Sequence, residues 1–114
     1  MGDKLWSVLF TKAALNDLLE IIQYMLDIGE QETARALADK FTTDIRKSLT
    51  THPHRGHPVP ELGKAVDGFH EIHAKPYRII YQVDEPHRSV WIVLIVHERR
   101  SVKDLTQGRA KSLK

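Results

Sequence analysis

"YRIIYQVDEPHRSVWIVLIVH", residues 77–97, is the stretch on which the fold turns. In its first part the side chains alternate. Arg78, Ile80 and Gln82 share one side of an extended chain and Tyr77, Ile79, Tyr81 and Val83 the other, because successive residues of a strand point to opposite faces. The aromatic and aliphatic side is expected to meet the helices. In the last part alternation stops: the seven consecutive apolar residues from Val90 to Val96 describe a strand covered on both faces, and therefore central in its sheet. Asp84-Glu85-Pro86-His87 is turn chemistry, and so is Lys75-Pro76 upstream, which leads back to a third extended segment, GFHEIHA at 68–74. Such short turns join antiparallel strands, so 68–74, 77–83 and 90–97 form a meander.

Working outward, LWSVLF at 5–10 has the character of a short strand, and Thr11 is placed to cap a helix after it. Leu15, Leu18, Leu19, Ile22, Met25 and Leu26 recur at helical spacing, which predicts a helix over about 12–28 ended by Gly29. A second helical pattern runs from Glu30 through Ala34, Leu37, Ala38, Phe41, Ile45 and Leu49 to about Thr51. Two amphipathic helices so closely joined form an antiparallel hairpin. HPHRGHPVPELGK, 52–64, with three prolines and two glycines, reads as a loop leading to the meander. Parallel pairing of the first strand with the last completes a four-stranded sheet, and Ser101 begins a short terminal helix at 102–107. The fold class expected is α+β, with the hairpin packed on one sheet face.

A chain of 114 residues that is 41% apolar and 28% charged fits one globular domain, 1–114. The absence of cysteine excludes disulfides, a thiol nucleophile and cysteine-based zinc sites, and makes the cytosol the natural compartment. No secretory leader is legible, and no apolar run approaches the roughly 20 residues that cross a bilayer, so no membrane partner is expected. A net charge of +2 does not by itself call for nucleic acid. Its placement is uneven, with Arg78, Arg99, Arg100 and Lys103 weighting the C-terminal half.

Three constellations could carry chemistry. His52, His54 and His57 could offer imidazoles to zinc or nickel, but a proline-punctuated loop lacks the orienting groups such a site needs, and solvated histidines are the reading adopted, with no metal and no cofactor. His70 and His73 point to opposite faces, whereas Glu71 and His73 share one. Arg78, inside an apolar strand, is either ion-paired, for example to Glu71, or set for an anionic ligand. His97 and Arg99 share a parity, and with Arg78 they could converge on one concave face, where arginine binds phosphate and histidine moves protons.

GFHEIHAKPYRIIYQVD (68–84) followed by SVWIVLIVHERRSVKDL (89–105) resembles the tyrosine-arginine strand and the final strand end of the RelE/ParE superfamily of bacterial toxins, also labelled plasmid-stabilisation proteins, and the element order agrees over roughly 5–107. The resemblance implies a toxin held in check by a cognate antitoxin, which covers the helix hairpin and part of the sheet and contacts operator DNA on the complex's behalf. ParE-like members poison DNA gyrase; RelE-like members cut messenger RNA on the ribosome. Arg78 matches the family arginine after tyrosine and Arg99 the one after the last strand. Glu71, His73 and Leu105 stand where RelE has lysines and a late tyrosine, so a ribonuclease here would have to use His97 as acid or base, with Glu61, Arg78 and Arg99. The hairpin and the HERRSVKDL ending look more like ParE. The favoured expectation is gyrase inhibition, with Arg78, Arg99, Arg100 and Lys103 as a basic binding surface; a toxin-like module without activity is a further alternative.

Overall fold

A computed structural model of the chain describes residues 5–61 and 68–100. The expected helix at 102–107, and Lys103 within it, lie outside the described residues.

Strand β1 (Ser7–Phe10) leads into helix α1 (Lys12–Asp27). Thr11 holds the junction, its hydroxyl accepting from the Ala14 N–H at 3.1 Å, which satisfies one of the amides a helix start leaves open. At the other end Gly29 takes φ +83°, a left-handed conformation that releases the chain into the next helix. Ala14, Leu18 and Met25 are buried against the sheet, but Leu15, Leu19 and Leu26 face outward and remain exposed. Half of the apolar stripe assigned to the core is therefore a surface.

The second helical pattern runs from Gln31 to Thr51 as α2 (Gln31–Asp39), a π-helical stretch (Lys40–Ile45) and α3 (Arg46–Thr51). Its sequence accounts for the change of gauge. Leu37, Phe41, Ile45 and Leu49 recur every four residues, and in an α-helix each such step overshoots a full turn by about 40°. The row would slide off the sheet. A wider turn in the middle cancels the drift, and all four side chains are buried. The Thr42 hydroxyl adds a bond to the Ala38 carbonyl at 3.0 Å within the widened turn.

The sheet has five strands in the order β1-β5-β4-β3-β2, with β2 (His57–Pro58), β3 (Phe69–Ala74), β4 (Tyr77–Asp84) and β5 (Ser89–His97). The meander and the parallel β1·β5 pairing agree with the sequence reading. The fifth strand does not: two residues inside the proline-rich segment pair antiparallel with β3, His57 opposite Glu71 and Pro58 opposite His70. Gly56 explains how the segment comes so close. Its N–H donates to the buried Tyr81 hydroxyl at 2.9 Å, and a Cβ there would stand 2.6 Å from that oxygen.

One irregularity matters for function. Between Ile80 and Tyr81 the β4·β5 register shifts, Tyr81 facing Ile92 and Ile80 facing Leu94, so Val93 is an extra residue. A bulge inverts which face each later side chain takes. Val90, Ile92 and Ile95 enter the core beneath the helices, with Phe41, Ile79 and Tyr81. Val93, Leu94 and Val96 join Ile80, Phe69 and Val59 in a smaller cluster on the other face. Beyond the end of β1, Asp17 of α1 accepts from the Ile95 N–H at 3.1 Å, satisfying an amide that no strand covers.

Candidate functional site

On the sheet face away from the helices, strand register places Glu71 and His73 of β3 beside Arg78 of β4, His73 and Arg78 being direct partners. Arg78 is 6% exposed and Glu71 1%, so both charges have left water and must be paired. Glu71 grips the guanidinium in a fork, Nε to Oε2 at 2.6 Å and the second terminal nitrogen to Oε1 at 2.9 Å. Glu61 forms a second fork, with both contacts at 2.7 Å. The Arg100 carbonyl accepts the fifth bond at 2.8 Å. A guanidinium has five N–H donors, and here all five are used.

The two carboxylates push the Arg78 pKa up, hydrogen bonding to Glu61 first and to Glu71 next. Burial pushes the Glu71 carboxyl up, but the bonds and charge of Arg78, together with His73, outweigh it and hold Glu71 below the ordinary carboxylate value. His73 bonds Glu71 Oε2 at 2.7 Å from the solvent side. One cation against two anions leaves the group with a formal charge of −1. Of the two roles open to Arg78, ion pairing is the one it fills; the expected basic surface has no Arg78 in it.

His97 and Arg78 do not converge. With the bulge at Val93, Tyr77 faces His97 and Arg78 faces Val96, so the histidine falls on the helix side. There it stands edge-on to Tyr77 at 6.1 Å in a cleft of about 290 Å³ bordered by Asp17, Glu20 and Tyr24. Its Nδ1 accepts from the Arg99 N–H at 3.2 Å, which turns the chain at the strand end. Arg99 does border the open depression of Arg78, Glu61 and Glu71, alongside Glu98, and both arginines 99 and 100 are exposed.

The three histidines of HPHRGH go three ways. His52 bonds the Thr51 hydroxyl and His54 pairs with Glu85 at 2.9 Å. His57, on β2, instead lies over β3 with its ring 5.6 Å from that of His73. Sequence reasoning saw the shared face of Glu71 and His73 but missed His57, because a two-residue strand among prolines carries no periodic signal.

The sheet order, the helix hairpin and the arginine-bearing strand define a domain of the RelE/ParE toxin superfamily. Residues 8–102 match the ParE toxins of type II toxin-antitoxin systems (parDE), and the chain belongs to that family. Among solved structures it is similar in fold to a chain of the chromosomal ParDE toxin-antitoxin system from P. aeruginosa, with 20% identity, TM-score 0.62, and 83% of this chain and 98% of that one covered. It is also similar to a chain of the toxin-antitoxin complex RelBE2 from Mycobacterium tuberculosis, with 23% identity, TM-score 0.54, and 82% and 98% covered. No curated protein matches the sequence. Among the described residues no helix is long and apolar enough to cross a membrane.

Proposed function

We propose that this type II toxin acts by inhibiting DNA gyrase, without catalysis of its own, and that a cognate antitoxin neutralises it. Membership in the ParE family supports the gyrase reading, and the toxin-antitoxin systems from which the ParDE and RelBE2 fold relatives come support an antitoxin partner. The observation that carries it is the state of Arg78. A ribonuclease without a metal needs a cation free to hold phosphate and a proton-transfer group beside it. Here the guanidinium spends every donor on Glu61, Glu71 and the Arg100 carbonyl, and His97 lies on the opposite face. Of the expected basic surface, Arg99 and Arg100 are exposed just beyond the end of β5, a buried strand flanked by β1 and β4, and serve as a contact for gyrase or for acidic antitoxin side chains. Operator DNA is reached through the antitoxin, and the target is cytosolic.

The test is supercoiling by purified gyrase with and without antitoxin-free protein. Lost supercoiling with accumulated cleaved DNA, reversed by the antitoxin, is the expected result. Folded protein that leaves gyrase untouched but cuts messenger RNA on ribosomes would overturn the proposal and return Arg99, His97 and Glu61 to consideration as reacting groups.

A further inference from the structure

The open face of β2 and β3 carries a second arrangement that the toxin reading does not use. His57 and Glu71 are direct partners across the two strands, and His73 lies two residues beyond Glu71, so register alone puts all three side chains on one side of the sheet. One ligand atom from each lies within 4.8 Å of the others. We propose that His57, Glu71 and His73 bind a borderline divalent transition-metal ion of the zinc class, through two imidazole nitrogens and one carboxylate oxygen, with a fourth position open to solvent.

The chemistry of the donors fits. Two imidazoles and a carboxylate are a set that zinc accepts, with the remaining position left to water or another small ligand. His57 is already oriented: its Nδ1 lies 3.0 Å from the Pro58 carbonyl, which can only accept, so Nδ1 carries the proton and Nε2 presents its lone pair. Glu71 is held from behind by Arg78, which leaves the second lone pair of Oε2 for the His73 side. A metal ion there takes the place of the proton now shared between His73 and Glu71. Zinc ligand atoms sit roughly 3.3 Å apart, so the 2.7 Å contact between His73 and Glu71 has to open, while any separation wider than that, up to 4.8 Å, has to close. His57 and His73 are both exposed and can swing inward without disturbing the core. Charge is favourable as well, since Arg78 with Glu61 and Glu71 sums to −1 before any cation arrives. An ion bridging β2 to β3 would pin the proline-rich segment to the sheet edge.

Isothermal titration of untagged, chelator-treated protein with Zn²⁺ tests this, together with the melting temperature with and without Zn²⁺ and the visible absorption of Co²⁺ as zinc's spectroscopic stand-in. The variants are His57→Ala and His73→Gln, both exposed positions, with His54→Ala as the control. An outer hydrogen-bond partner of a metal site is worth roughly 10–100-fold in affinity, so losing a direct ligand should cost at least that. The expected result is one Zn²⁺ per chain, a raised melting temperature, and both effects lost in the first two variants but kept in the control. Zinc binding unchanged in His57→Ala and His73→Gln, or no binding at millimolar Zn²⁺, would overturn the proposal. Circular dichroism confirms that each variant is folded, and none of these readouts depends on gyrase.

Discussion

The two faces of strand β4 bury similar fractions of their side chains by opposite means. Toward the helices, Ile79, Tyr81 and Val83 enter a continuous apolar core with Phe41, Ile45 and Leu49. Toward the other side, Ile80 joins a small apolar cluster, while Arg78 is buried only because Glu61 and Glu71 surround it. The first face is held by the removal of apolar area from water and is indifferent to pH. The second depends on charges being matched, so its contribution changes with protonation. One strand thus carries a stability that is insensitive to pH and another that is conditional on it.

The largest expected effect lies on the helix face. Phe41→Ala empties the centre of the helix-to-sheet contact and should cost about 3–5 kcal/mol, measured by urea unfolding, by the same amount at pH 7 and pH 4. Arg78→Met should cost about 3 kcal/mol at pH 7, since it strands two carboxylates, one of them fully buried. Here pH decides. In the parent protein the folded Glu71 carboxyl lies below its unfolded value, so its stabilisation is fully present above that unfolded value and is lost as pH falls through the depressed one. Without Arg78 the burial that raises Glu71 is opposed by His73 alone, and the carboxyl takes up its proton at higher pH. The gap between parent and variant, followed with a chelator present, should therefore narrow from pH 7 to pH 4. A gap of constant size would mean that Arg78 acts by packing and that the two faces do not differ in kind.

How far this arrangement was legible follows the same division. Periodicity reports faces, so the helix hairpin, the meander and the parallel return to β1 could be read from Leu18, Met25, Phe41 and the alternation of Tyr77 to Val83. It fails where nothing alternates. Val90 to Val96 is apolar at every position, so the extra residue at Val93 left no mark, and counting parity straight through it placed His97 beside Arg78. Without the bulge Arg78 would face Ile95, on whose side His97 also lies; with it, Arg78 faces Val96. The π-helical stretch was hidden differently, in a four-residue spacing that looks helical until the accumulated rotation is considered. Glu61 came into view only through the family resemblance, and His57 not at all as a partner of Glu71, since both come from the proline-rich segment whose path is fixed by Gly56 against Tyr81.

A smaller effect tests the start of α1. Thr11→Ala removes the hydroxyl that accepts from the Ala14 amide and should cost about 1 kcal/mol, again read by urea unfolding, with no dependence on pH between 4 and 8. A cost well above that would show that the β1-to-α1 junction also fixes the Asp17 contact to Ile95, and so couples the helix to the bulged end of β5.

The smallest effect on stability belongs to a residue that neither face of β4 uses. Leu19 points away from the core at 52% exposure, with Leu15 and Leu26 on the same outer side of α1. Since its side chain is already largely in water, Leu19→Glu should change stability by less than about 0.5 kcal/mol. An outward apolar stripe on a helix that has already buried Leu18 and Met25 is suited to a partner, and the antitoxin is the partner the proposed function supplies. Mixing the variant with its antitoxin should then show binding weakened by about tenfold or more, with gyrase inhibition by the free variant retained. Loss of both together would place the gyrase contact on α1 rather than at Arg99 and Arg100. Unchanged antitoxin binding would leave the outer stripe of α1 to some other surface of the complex and confine neutralisation to the sheet.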